Sequence, residues 1–219
     1  MVGESEGTGS MKQPSTRRAY LNSKGEKVPG VTTVMGEGLG WSKNGLIAWA
    51  HKLGKEGRSL SERDKAADKG TATHALTWRI LGHDDGTELD DDDVREHEPN
   101  ARRVADAILS RWTIVHVELA IVTDTHAGTI DLIVRDKDGR VGVVDLKTGT
   151  GVYDEVAVQL GAYAKLYGQP VDFAAIIHAH PGEPLAVIDI DSATLDRGAE
   201  VFGHLLEVYR LKRKIKVGR

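Results

Sequence analysis

The stretch Val141–Gly151, "VGVVDLKTGTG", decides how this chain folds. Its apolar start has the character of a strand buried on both faces. The run nevertheless carries Asp145 and Lys147 and ends in a Gly-Thr-Gly turn. Side chains alternate along a strand, so Asp145 and Lys147 share one face and Leu146 takes the other. A carboxylate and an ammonium at the end of a core strand are costly unless they are paired or used. The plain alternative is a strand-end ion pair.

Working outward, two preceding runs have the same character. "TIVHVELAIVT" carries Glu118 and "AGTIDLIVRD" carries Asp131, and "DKDGR" between the second run and Val141 reads as a hairpin turn. Three neighbouring strands thus each hold one acid inside an apolar run. Such a cluster disfavours itself and calls for a compensating cation. Carboxylate oxygens suit Mg²⁺ or Mn²⁺, and Lys147 beside the ion would hold or deprotonate a water.

The remaining pattern surrounds these strands with helices. "RAYLNSKGEKVPGVTTVMG" suggests a short hairpin turning at "SKGE", and "SKNGLIAWAHKLGKEG" reads as a helix. "SLSERDKAADKGTATHALTWRILG" reads as a long helix, with Ser61 and Asp64 as a capping box and Ala67, Gly70, Thr71 and His74 on one face. Imidazole suits Mn²⁺ and related ions. "PNARRVADAILSRW" predicts a helix opened by proline. "YDEVAVQLGAYAKLYG" predicts one ending at Gly168, with Gln159 and Tyr163 one turn apart on one face, where an amide and a phenol suit hydrogen bonds to phosphate. "DFAAIIHAH" and "PLAVIDI" predict two further strands, and a last helix starts near Ser192. The order implies an α/β domain with a mixed central sheet flanked by helices.

The chain has 219 residues and no cysteine, which excludes disulfides and cysteine-held zinc or iron–sulfur clusters. No apolar run is long enough to span a membrane, so no membrane partner and a cytoplasmic location are expected. Residues 1–18 are polar and glycine-rich, lack signal-peptide character and predict a flexible tail before a single domain at 19–219. The formal charge of −4 hides segregation. Asp84–Glu98 holds nine acidic residues and one arginine and predicts a solvated acidic loop, whereas the end of the chain, with Lys212, Arg213, Lys214 and Lys216, is basic. "IIHAH" offers His178 and His180 as a metal pair, with a structural role the plainer reading. The glycines after Thr148 lack the lysine and serine of a nucleotide-binding P-loop.

Taken in order, "GTATH", "ELAI", "GTIDLIV", "VVDLKTG" and "QLGAY", spanning Gly70 to Tyr163, resemble the PD-(D/E)xK nuclease superfamily. Within it they resemble the RecB-type exonucleases, including CRISPR-associated and phage members. The resemblance implies a restriction-endonuclease-like core. It implies that His74, Asp131, Asp145 and the Leu146 carbonyl ligate the metal, and that Lys147 positions or activates the attacking water. Glu118 falls where the family often has an acid, and Gln159 and Tyr163 orient the site or the DNA backbone. Many CRISPR-associated members carry a four-cysteine iron–sulfur cluster, which this chain cannot hold.

The expected function is a Mg²⁺- or Mn²⁺-dependent DNA exonuclease, with one ion or two, in phage or bacterial recombination, repair or DNA degradation. The expected partner is DNA with a free or single-stranded end, contacted also by Lys212, Arg213, Lys214 and Lys216, and a homo-oligomer is allowed. A structure-selective endonuclease and a non-catalytic DNA-binding recombination subunit are the alternatives.

Overall fold

The computed structural model describes residues 19–40 and 61–215, with residues 47, 51 and 55. The side chains of residues 61–69, most of the helix expected at 42–57, the N-terminal tail and Lys216 lie outside the described part. A hairpin of β1 (Tyr20–Leu21) and β2 (Lys27–Val28) comes first. Asn22 closes its turn by accepting the Lys24 and Glu26 N–H groups, and Gly25 takes the left-handed conformation at φ 74°. Next come α1 (Val31–Gly38), α2 (Ser61–Ile80) and α3 (Asp91–Arg111). The strands β3 (Thr113–Val122), β4 (Ala127–Arg135) and β5 (Val141–Lys147) follow, then α4 (Glu155–Tyr167), β6 (Phe173–His178), β7 (Ala186–Ile190) and α5 (Ser192–Lys212).

β3 to β7 form one sheet in chain order. All neighbours are antiparallel except β5 and β6, which run parallel because α4 carries the chain across between them. Consecutive residues feed opposite cores. Ile133, Val143 and Ile176 pack under α1, α4 and α5 with Val34, Leu160 and Phe202. Leu132, Val144 and Ile177 pack under α2 and α3 with Trp78, Val104 and Ile108. Both faces of the central strands are covered, which is why they read as nearly unbroken apolar runs. The fold is α/β with a mixed sheet flanked by helices, as expected.

Two expectations are corrected. The hairpin ends at Val28, and the rest of its expected stretch is α1, whose Val31, Val34 and Met35 are buried in the core. The acidic run is not a loop throughout: Asp91–Glu98 are the first two turns of α3, which begins well before Pro99. The Asp90 carboxylate accepts the N–H groups of Asp92 at 3.0 Å and Asp93 at 2.8 Å. Asp91, Asp92 and Asp93 sit in the first turn, at the positive end of the helix dipole. Pro99 removes one hydrogen bond from the helix interior, but buried neighbours keep the helix on the sheet. His97 and Asn100 are both buried, and the Asn100 amide donates to the Ala179 carbonyl at 2.8 Å.

The helices α4 and α5 touch backbone to backbone at Gly161 and Gly198. A Cβ on Gly161 would lie 2.3 Å from the Ala199 nitrogen, and one on Gly198 would lie 2.1 Å from the Ala157 oxygen. Helix propensity alone would make alanine the better residue by up to about 1 kcal/mol. Crowding reverses that sign here. Gly161→Ala and Gly198→Ala are each expected to destabilise the protein by roughly 1–3 kcal/mol in denaturant titrations. Parent-like or higher stability would contradict this close helix contact.

Candidate active site

The site lies where β4 and β5 part. Their pairing is last seen at Leu132↔Val144, whereas β5 goes on pairing with β6 to Lys147↔His178. Beyond that point the Asp131 carboxylate replaces the missing ladder partner and accepts the Leu146 N–H at 2.9 Å. The Leu146 carbonyl faces α2 and meets His74 Nε2 at 3.0 Å. A carbonyl only accepts, so His74 carries its proton on Nε2, which leaves the Nδ1 lone pair 3.9 Å from Asp131 Oδ2.

Glu118 enters from β3. It is a non-glycine residue with φ 49°, a conformation that costs about 1–3 kcal/mol and clusters at functional positions. The β3–β4 register runs through Val117↔Leu132 and Leu119↔Ile130, which places Glu118 opposite Asp131. The buried Trp78 indole donates to Glu118 Oε1 at 2.9 Å, and its ring meets His74 edge-on at 5.6 Å. One ligand atom each of His74, Glu118 and Asp131 can be chosen so that all three lie within 4.8 Å of one another.

Asp145 is 1% exposed. Its Oδ2 lies 2.7 Å from Lys147 Nζ, an ion pair by distance, yet the angles leave neither carboxylate oxygen hydrogen-bonded among the described residues. Lys147 also donates to Gln159 Oε1 at 3.1 Å, and the Gln159 amide donates to the Tyr163 hydroxyl at 3.1 Å. Gly128 admits the Tyr163 ring, since a Cβ there would come within 2.8 Å of it.

The electrostatics follow from burial and crowding. Burial, then repulsion from Asp131, pushes Glu118 up to about 7 and Asp145 up to about 6. Burial raises Asp131 as well, against the pull of Lys147. Burial lowers His74 to about 4, so its imidazole is neutral at physiological pH. Burial also pulls Lys147 down, but Asp145 and Asp131 more than offset it, and its pKa ends above the usual lysine value. Burial and then Asp131 raise Tyr163.

The residues fit a hard divalent cation. Two half-buried carboxylates and a neutral imidazole converge, and a fully buried carboxylate beside them has no hydrogen bond. Thus His74, Glu118, Asp131, Asp145, Lys147, Gln159 and Tyr163, singled out from the sequence, form one connected group, and the Leu146 carbonyl borders it. Tyr163 is 4% exposed and reaches the group through Gln159, a placement suited to orienting Lys147.

The basic end stands apart. Lys212 pairs with Glu37 at 3.1 Å, Arg213 hydrogen-bonds the Tyr209 hydroxyl and lies over its ring, and Lys214 is exposed. No interaction among the described residues links them to His74 or Lys147. His178 and His180 each meet a main-chain carbonyl of the loop after Lys147, at 2.8 and 3.1 Å. The sequence reading missed Trp78, although its place one turn after His74 on α2 was the available signal.

No family model matches the sequence, and no curated protein matches it. Among solved structures, one similar chain is the alkaline exonuclease LHK-Exo from Laribacter hongkongensis, at 15% identity over 71% of this chain and 86% of that one, with a TM-score of 0.28. LHK-Exo in complex with dAMP is similar at 15% identity over 66% and 83%, with a TM-score of 0.27. A third, SSO0001, is 17% identical over 62% and 74%, with a TM-score of 0.25.

The crowded carboxylates set a pH signature for the metal-free protein. Glu118 is raised from 4.5 to about 7, so the folded state holds a proton that the unfolded chain releases. Stability from this group is present at lower pH and is lost as pH rises through about 7. His74 works in the opposite direction only below its ordinary value of 6.5. Between about pH 6.5 and 8, chelator-treated protein is therefore expected to lose stability with rising pH, and Glu118→Gln to flatten that slope. Chemical denaturation across this range checks it. A Glu118→Gln slope equal to the parent's would contradict the shift.

Proposed function

We propose that the protein is a divalent-metal-dependent deoxyribonuclease, and within that class an exonuclease acting on DNA ends. The observation that carries the reading is Asp145, a buried carboxylate without a hydrogen bond, set between Lys147 and the His74–Glu118–Asp131 group. Structural ion pairs are satisfied, and this one is not.

In this reading His74 Nδ1, Glu118, Asp131 and Asp145 hold one or two ions, Mg²⁺ or Mn²⁺, with the Leu146 carbonyl beside them. The bound cation supplies Lewis-acid polarisation of a phosphoryl oxygen. The chain's own groups do the rest. Lys147 Nζ lies 2.7 Å from Asp145 Oδ2 and donates to Gln159, so it is placed as an ammonium. Its proton-bearing head orients the attacking water and stabilises charge that develops on the phosphoryl group. This favours a positioning role over proton abstraction. Gln159 and Tyr163 fix the direction in which Lys147 points. Trp78 holds Glu118 and the His74 ring in place.

The deciding experiment compares end-labelled linear DNA with covalently closed circles, in Mg²⁺ or Mn²⁺ and in excess EDTA. Release of nucleotides from linear DNA in metal alone supports the proposal. Cleavage in EDTA, or no cleavage under any condition, would overturn it, and attack on closed circles would replace the exonuclease with an endonuclease. Lys147→Ala is expected to bind Mn²⁺ and DNA nearly as the parent does and to cut at least about a hundredfold more slowly. Lys147→Arg would not restore full rate, because a planar guanidinium presents its donors in a different geometry from an ammonium. Near-parent cleavage by Lys147→Ala would reduce the lysine to an ion-pair partner.

A further inference from the structure

His178 at the end of β6 and the two residues after it grip three consecutive carbonyls of the loop after Lys147. The Ala179 N–H donates to the Lys147 carbonyl at 2.8 Å. His180 Nδ1 meets the Thr148 carbonyl at 3.1 Å, and His178 Nε2 meets the Gly149 carbonyl at 2.8 Å. Carbonyls only accept, so the proton sits on Nδ1 of His180 and on Nε2 of His178. The two side chains extend the β5–β6 ladder past its last backbone pair.

This grip fixes the other side of each peptide. No peptide bond among the described residues is cis, and in a trans peptide the N–H points opposite to the preceding C=O. The N–H groups of Thr148, Gly149 and Thr150 are therefore turned away from β6. The opposite side of β5 is the one on which Asp131 and His74 lie. These three amides meet no acceptor among the described residues, and Gly149 and Thr150 are exposed. A Cβ on Gly149 would meet nothing within 4 Å, so the loop is open to approach. Successive amides directed to one side form an anion-binding concavity.

We propose that Thr148–Thr150 is a phosphate cradle whose amides bind a backbone phosphate of the nucleic-acid strand beside Lys147, with His178 and His180 as its positioning residues. The substrate assignment rests on the nuclease reading, whereas the binding of phosphate does not. Two substitutions keep the donors while removing the rings. The amide nitrogen of glutamine reproduces histidine Nε2, and that of asparagine reproduces Nδ1.

Inorganic phosphate titrated into chelator-treated protein tests the cradle through amide nuclear resonances. The Gly149 and Thr150 signals are expected to shift saturably in the parent and in His178→Gln/His180→Asn, and to stay in place in His178→Ala/His180→Ala. Absence of a shift in the parent, or equal shifts in the double alanine variant, would overturn the proposal. With DNA as substrate, the double alanine variant should lose about tenfold or more in kcat/KM, mainly through KM, and the glutamine/asparagine variant should recover most of it. An alanine variant with parent kcat/KM, or an amide variant as poor as alanine, would also overturn it. A parent that binds phosphate at these amides but cuts no DNA would keep the cradle and remove the nuclease reading.

Discussion

Negative charge in a dry place is the constraint on which the rest of this structure depends. Glu118, Asp131 and Asp145 come from three adjacent strands, and Asp145 is buried without a hydrogen bond. Inside a protein, like charges at such separations repel by several kcal/mol. Lys147 offsets part of this, but one ammonium faces more than one carboxylate, and its own partners include a neutral amide. The imbalance is what raises Glu118 and Asp145 after burial has done so. A divalent cation would remove it, and a fold maintained for stability alone would have no reason to keep it.

The sheet is built around that imbalance. β5 belongs to two ladders of different length, so its end is held from the β6 side and released on the β4 side. The gap is filled by side chains acting as backbone partners: Asp131 takes the Leu146 N–H and His74 takes the Leu146 carbonyl. α2 reaches this point closely because Gly70 has no side chain, and a Cβ there would lie 3.1 Å from Thr148 Oγ1. On the opposite face Gly128 makes room for Tyr163. Glycines thus bring helices from both faces up to one strand end.

Much of this was legible in the sequence because period-two alternation assigns faces without ambiguity. Asp145 and Lys147 must share a face, and the apolar run "GTIDLIV" sets Asp131 within a strand. His74 was readable from its spacing to Gly70. What was not legible depended on partners distant in the chain. The acidic run looked like a loop because nine acids and a proline outweigh helix propensity. Only the Asp90 cap and the burial of His97 and Asn100 under the sheet show why a helix starts before Pro99. Charge alone marks Lys212 and Arg213 as basic, and only the fold brings Glu37 to one and the Tyr209 ring to the other. Trp78 and the histidines of "IIHAH" were visible as residues, but their roles required knowing which atoms they face.

The placement of Lys147 links the metal group to the loop beyond it. Its side chain is fixed by Asp145 and Gln159, and its main-chain carbonyl is held by Ala179. A lysine free to swing would satisfy its charge in solvent. One held at both ends points its ammonium where the carboxylates already crowd, at a fixed distance from the amides of Thr148 to Thr150. Substrate phosphates would then meet fixed positive or polar groups that need no reorganisation at the moment of reaction, the condition under which electrostatic stabilisation is largest. The same fixed geometry accounts for the strain at Glu118. An unstrained φ would relax β3, but Trp78 already holds the carboxylate facing His74 and Asp131, so the strain persists where the site needs it.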